Sequence, residues 1–398
     1  MTAPTRRELP SPETATGGRT DPEPAGRTVS GSGNRLVAAF RSALPALVGY
    51  LAVRSLGLVT LWLWARAVGA RPGALLTESD GEWYLRIAQH GYDGYERTQS
   101  DMAFFPLYPH LVGALEPLTP LGARATALAV AGVAALAAAW GLFAIGEHLY
   151  DRRVGILLAV LWGSLPHSIV QNMSYSEGIF TAFAAWCLYA LLRGDWLVAG
   201  LLSLAAGLTR PTGSALLAVV CVAASIAVLR RRDGWRPWAA LLLAPAGWLG
   251  YLAWVGWRTG RPDGWFHIQD AGWGTTFDLG VDTVRVGQRV LAHPSALAMY
   301  VVTLVVLVAL ALFVLGALDR QPWQLLLYSG LILLTTLGAA GYYHAKARFL
   351  LPAFPLLLPV AVALARAGWA RAVTVLAPLA ILSAYFGGYV LMIWNRSP

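Results

Sequence analysis

The chain has 398 residues, 57% of them hydrophobic and only 13% charged, where a soluble domain carries about 25% charged residues; that composition excludes an ordinary soluble protein and points to an integral membrane protein. The formal net charge of +9 is almost wholly arginine, Lys346 being the only lysine, and in so apolar a chain it belongs to the basic bias of cytoplasmic loops, with no nucleic acid as partner. The two cysteines, Cys187 and Cys221, both fall within apolar runs and offer neither a disulfide framework nor a metal site.

Residues 1–35 are rich in Pro, Gly, Ser, Thr and Arg and hold no apolar run long enough for a signal-peptide core. They read as a disordered cytoplasmic tail ahead of one transmembrane domain, 36–398. The first span runs from about Leu44 to Arg66 and is interrupted near its middle by Arg54. An arginine at that depth faces the protein interior or a polar cavity, which makes Arg54 a candidate substrate contact.

The polar interval that follows, from Thr77 to His110, concentrates carboxylates, tryptophan, tyrosine and histidine in an otherwise aliphatic chain. Ser79 with Glu82 has capping-box spacing and predicts a helix beginning at Asp80. Glu82, Arg86, Gln89 and Asp93 form one stripe of that helix and Trp83, Tyr84, Ile87 and Ala88 the opposite one, the pattern of a helix lying in the membrane surface. Glu78 and Asp80 stand at its start.

Apolar runs come next at 123–146, 154–171 and 177–192, each close to the ~20 residues a span needs. The segment 197–229 is too long for one untilted span and is broken by Thr209-Arg210-Pro211-Thr212-Gly213, where proline and glycine free backbone groups that require a polar cavity. It reads as two short helices meeting at the break. Further spans lie near 238–257, 296–317, 323–341, 348–365 and 371–393. The predicted fold is therefore an all-α polytopic bundle of about eleven transmembrane helices, within a range of roughly nine to twelve, with an external amphipathic helix after the first span. Counting 197–229 as a hairpin keeps Arg152-Arg153, Arg193, Arg230-Arg231-Arg232 and Arg366 with Arg371 cytoplasmic; counting it as one pass puts the arginine triplet outside. The hairpin places a first external loop, 77–122, which carries the acidic motif, a second one, 258–295, and the segments 172–177 and 342–348 on one face, together with Arg210.

Five polar clusters thus converge: Glu78/Asp80, Tyr175-Ser176-Glu177, Arg210, the loop from Asp263 to Asp282, and His344-Ala-Lys346-Ala-Arg348. A carboxylate among several cations suits transfer of a group from a phosphate, because the carboxylate takes a proton from the attacking hydroxyl while Arg and Lys stabilise charge on the departing phosphate. Every member also has a structural alternative. Asp80 and Glu177 favour the dipole of a helix start, Arg210 caps broken-helix carbonyls, and His344, Lys346 and Arg348 snorkel to the interface. His90, His110 and His267 are isolated and lack metal-ligand spacing, and neither a phosphate-cradling loop nor a serine-nucleophile signature is present.

Taken as a set, Asp80-Gly-Glu-Trp-Tyr-Leu-Arg-Ile-Ala, Ala103-Phe-Phe-Pro-Leu-Tyr-Pro109, Tyr175-Ser-Glu177, Leu208-Thr-Arg-Pro-Thr-Gly213 and Arg348-Phe-Leu-Leu-Pro-Ala-Phe-Pro355 resemble the bacterial relatives of glycosylphosphatidylinositol mannosyltransferase II. These are the PIG-V-like members of the C superfamily of multi-span glycosyltransferases. The resemblance covers roughly residues 40–390. It implies a catalytic aspartate in the first external loop, and Glu78-Ser-Asp80 matches the E-x-D form of that motif, with Ser79 where the bacterial relatives commonly have Trp. It further implies a polyprenyl-phosphate sugar donor, typically mannose, a glycolipid or glycan acceptor, and inverting transfer at the external face of a bacterial plasma membrane with no nucleotide sugar. Asp80 is then the base, and Arg210, Lys346 and Arg348 hold the donor phosphate. Glu78 holds Asp80 or a divalent cation, no other cofactor being implied. Glu177, His344 and Arg54 complete the candidate substrate contacts. Two other classes fit the same composition: a transporter or flippase of lipid-linked sugars, although no internal repeat is evident, and a non-catalytic envelope scaffold.

Overall fold

The computed structural model describes residues 32–92, 99–394 and 396–398. It divides into two units, 1–41 and 42–398. The described part of the first is the opening of helix α1 (Ser32–Ala67). Apart from one isolated bridge between Phe277 and Ala339, the regular structure of the described residues is helical. After α1 come α2 (Pro72–Leu75), α3 (Asp80–His90), α4 (Leu107–Leu115), α5 (Gly122–Leu149), α6 (Arg152–Gly163), α7 (Glu177–Arg193), α8 (Trp196–Gly207) and α9 (Gly213–Leu229). The second half holds α10 (Arg236–Thr259), α11 (Gly264–Trp273), α12 (Val281–Ala292), α13 (Leu297–Leu318), α14 (Trp323–Gly338), α15 (Lys346–Phe349), α16 (Leu358–Ala367) and α17 (Trp369–Met392).

Among the described residues five helices, α1, α5, α10, α13 and α17, are long and apolar enough to cross a membrane. The segment 343–349 with 354–367, bent by 75°, makes a sixth if it is one span. These helices leave large side chains such as Leu51, Leu63, Leu242, Leu304 and Ile381 exposed, a surface that soluble proteins rarely show as a contiguous patch. Two of them meet neighbouring helices at glycine. A Cβ added to Gly146 of α5 would meet the Cα of Gly155 in α6 at 2.7 Å, and one on Gly247 of α10 would collide with the Leu204 carbonyl of α8. Close backbone approach of this kind supplies packing where burial of apolar surface cannot.

Several expected elements take a different form. The run 154–171 is helical only to Gly163, then turns through Ser164-Leu-Pro166 into a 3₁₀ stretch at Ser168–Asn172, because proline lacks the N–H that would continue the ladder. Likewise 348–365 breaks between α15 and a 3₁₀ turn at Phe354–Leu357, around Pro352 and Pro355. The interval 258–295 carries two helices, α11 and α12, that the sequence reading did not specify. The break at 208–212 is found where expected, between α8 and α9. With twelve and seventeen residues, these reach about 18 and 26 Å, short of the ~30 Å of a hydrocarbon core.

Candidate active site

Helix α3 begins at Asp80, as its sequence predicts, but not by the predicted cap. Ser79 has φ +58° and makes no side-chain cap hydrogen bond, whereas a capping box needs an extended backbone at that position. A positive φ on a residue other than glycine is held in place by its surroundings. Here the Ser174 N–H donates to the Leu76 carbonyl at 3.0 Å, and the Tyr175 hydroxyl donates to that of Glu78 at 3.3 Å. Gly81 lies so close to Ser174 that a Cβ would overlap its hydroxyl. The two segments 76–81 and 174–177 are therefore laced together, which brings the first turn of α3 beside the first turn of α7. On α3, Tyr84, Leu85 and Ile87 are buried while Glu82 and Gln89 are exposed, in keeping with the predicted stripes; Asp93 lies outside the described residues.

Glu177, at the start of α7, is 1% exposed. Its Oε1 lies 2.7 Å from Nη1 of Arg210 and 3.3 Å from Nε of Arg348. Neither approach is aligned as a hydrogen bond, so these are charge contacts. Arg210 arrives from the break between α8 and α9 and also donates to the Ser176 hydroxyl at 3.2 Å. Partners on other helices satisfy the carbonyls of that break: the Leu107 N–H donates to Leu208 at 2.9 Å and the Trp248 indole to Pro211 at 3.0 Å. Arg348, on the one-turn helix α15, reaches Oδ2 of Asp80 with Nη2 at 2.8 Å and donates from Nη1 to the Ser397 hydroxyl at 3.1 Å. Its guanidinium lies over the rings of Tyr175 and Phe349. The result is a chain of four charges, Asp80, Arg348, Glu177 and Arg210, in which the Asp80 side chain is 24% exposed and that of Arg348 4%.

Asp80, Arg210, Arg348 and Lys346 line one cavity of about 720 Å³. Its walls include Tyr84, Trp248, Trp265 and Trp273, with Thr335 of α14 on another side. Lys346 donates to the carbonyls of Thr336 and Ala339 at 2.8 and 2.7 Å, capping the end of α14 and leaving one ammonium N–H uncommitted. Tyr84 shares a hydrogen bond of 2.7 Å with Ser176. Burial pushes its phenol above the ordinary value, and burial with the Asp80 charge does the same for Tyr342, so both remain neutral hydroxyls. In the loop ahead of α12, the backbone N–H groups of Asp282 and Gly280 hold the Asp278 carboxyl below the usual range.

The remaining predicted site residues stand elsewhere. Arg54, expected as a substrate contact, is not among the residues lining the cavity. Its buried guanidinium donates to Asn172 Oδ1 at 2.6 and 2.8 Å, to the Gly163 carbonyl at 3.0 Å and to the Ser168 hydroxyl. The polar surroundings an intramembrane arginine requires come here from the end of α6 and the 3₁₀ stretch after it, the interior placement that its depth allows. His344 packs between the rings of Tyr342 and Trp394 and is likewise absent from the lining. Glu177 stands behind the two arginines as their counter-charge. Glu78 faces a second cavity of about 340 Å³. Among the described residues no group of three His, Cys, Asp or Glu side chains is arranged to hold a metal ion. Sequence reasoning missed Tyr84, Tyr342 and Ser397 as parts of the cavity wall. Tyr84 belonged to a stripe read as apolar, and Ser397 carries no pattern that would have singled it out.

No family model matches the chain, and no curated protein matches it.

Proposed function

We propose that the protein is a membrane glycosyltransferase that moves a sugar, taken as mannose, from a polyprenyl-phosphate donor to a hydroxyl of a lipid or glycan acceptor, by a single displacement with inversion. The observation that carries this reading is the Asp80 carboxylate, 2.8 Å from Arg348, at the wall of a cavity that Arg210 and Lys346 also line. Asp80 accepts the proton of the acceptor hydroxyl as its oxygen bonds to the anomeric carbon. The bond from that carbon to the phosphate oxygen breaks, and its electron pair leaves with the phosphate. Arg348, Arg210 and Lys346 supply the positive charge that the departing phosphate needs. In the resting site Asp80 already occupies Arg348, so the incoming phosphate takes over that guanidinium and releases the carboxylate to act as base.

The apolar and aromatic walls fit a donor whose tail is hydrocarbon, and the exposed apolar helices fit a chain resident in a bilayer. In this reading the chain makes about eleven passes of a bacterial plasma membrane, counting the pairs that meet at breaks. Helix α3 lies along the external surface, and the cavity faces outside.

Incubation of the purified chain in lipid nanodiscs with polyprenyl-phosphate carrying radiolabelled mannose tests the proposal. Label should appear in a new glycoside or, with water as acceptor, as free sugar, and both should vanish in Asp80→Asn. Label that stays on the donor under all acceptors tried, while crossing a liposome membrane in a protein-dependent manner, would identify a transporter.

A further inference from the structure

The acidic motif divides between two cavities. Asp80 lines the larger one, whereas Glu78 and Ser79 line the smaller, of about 340 Å³. Ser397 lines both and is therefore part of the partition between them. The positive φ of Ser79, +58°, is the backbone kink that lies between these neighbouring carboxylates. The rest of the smaller cavity comes from Met173 and from the end of α17 and the residues after it, including Met392, Trp394 and Arg396. That segment is braced by His344, whose ring lies 6.1 Å from that of Trp394.

The two cavities differ in chemistry. The larger gathers Arg210, Lys346 and Arg348 beside aromatic walls and suits an anion with an apolar tail. The side chains lining the smaller include a carboxylate, a guanidinium and two hydroxyls, from Glu78, Arg396, Ser79 and Ser397. Glu78 and Arg396 offset each other in charge, so no net positive charge gathers there as it does in the larger cavity, while a group that both donates and accepts hydrogen bonds finds partners of each kind. Its volume falls at the lower end of the roughly 300–1,000 Å³ of ligand pockets. A displacement with inversion also needs the attacking and leaving oxygens on opposite faces of the anomeric carbon, and two cavities that share Ser397, only one of them lined by Asp80, offer separate places for the two groups.

We infer that the smaller cavity is the acceptor subsite and takes a neutral polyol of hexose size, its hydroxyl presented to Asp80 past Ser397. Glu78 then contacts the acceptor rather than abstracting the proton. The inference rests on the transferase reading for its role, but the binding of a polyol there is testable separately.

The probe is an alkyl α-mannoside bearing a diazirine, photolysed with the full-length chain in nanodiscs and mapped by mass spectrometry. Adducts should fall within 389–398 and 76–80, be competed by methyl α-mannoside, and be lost in Glu78→Gln and in Arg396→Ala. In transfer assays the same two variants should raise KM for the mannoside by about tenfold, the loss of one charge-assisted hydrogen bond, without a matching rise in donor KM. Adducts confined to 261–277 of the larger cavity, or adducts that methyl α-mannoside does not compete, overturn the inference. A chain that is labelled as expected yet transfers no sugar keeps the polyol site and retires the transferase. A chain that transfers sugar but is labelled only in 261–277 does the reverse.

Discussion

Replacing Asp80 by Asn separates a chemical role from a structural one, and the structure sets both magnitudes. The substitution removes one charge from a contact of 2.8 Å with Arg348. Hydrogen bonds to charged groups contribute roughly 1.5–3 kcal/mol. Three features shrink that figure here. The Asp80 side chain is 24% exposed, so solvent screens it; an asparagine oxygen keeps a partial negative charge beside the guanidinium; and Arg348 keeps Glu177 as a second counter-charge at 3.3 Å. The expected loss of stability is therefore about 1 kcal/mol or less, or about 2–4 °C in melting temperature at most. Loss of a general base, by contrast, removes about two to four orders of magnitude in rate, equivalent to roughly 3–5 kcal/mol of barrier. The assay is transfer from labelled polyprenyl-phosphate mannose, run beside thermal unfolding of the same preparation. Turnover at the wild-type level with an intact fold would refute the assignment of Asp80. A collapse of stability matching the loss of activity would refute the energetic argument.

Arg348→Ala should weaken donor use strongly and Arg348→Lys restore only part of it, because a lysine cannot hold Asp80, Ser397 and phosphate oxygens with one planar fork; donor KM in the two variants checks this. Glu177→Gln leaves the Arg210 guanidinium without a carboxylate within 4 Å among the described residues, which should cost about 3–5 kcal/mol of stability, read as a lowered melting temperature. Arg54→Ala strands the Asn172 and Gly163 oxygens at about 1–3 kcal/mol each; activity should fall only in proportion to folded protein, and a changed donor KM would return Arg54 to the site. For orientation, a cysteine at Ser214 should be labelled by an impermeant reagent from outside intact cells and one at Asp233 should not, since the basic stretch Arg230–Arg232 precedes the latter.

What the sequence disclosed was what is local. Thr209-Arg210-Pro211-Thr212-Gly213 announces the break between α8 and α9 because proline and glycine act on their own backbone, and the 3.6-residue pattern announces α3 and its buried face. The start of α3 was right for the wrong reason, since nothing in the identity of Ser79 shows a positive φ. The partners of Arg54 were not legible, because Asn172 stands 118 residues away and depth in a helix does not say whether neutral oxygens or a ligand satisfy the guanidinium. Ser397 escaped notice for the same reason, its bond to Arg348 spanning 49 residues.

In the proposed transferase, the unequal burial of the two carboxylates fits two different roles. Glu177, at 1% exposure, touches both arginines and cannot reach a substrate without unpacking the site; it fixes the guanidiniums in place before any ligand arrives. Asp80 touches one arginine and is a quarter exposed, which suits the proposed exchange of its guanidinium partner for a phosphate and its taking up of a proton. Because Glu177 remains, releasing Asp80 from Arg348 does not leave a buried cation unpaired, and the exchange avoids the several kcal/mol that such a cation would cost. A site with Asp80 and Arg348 alone would have to choose between holding its base and holding its phosphate; the third charge removes that conflict.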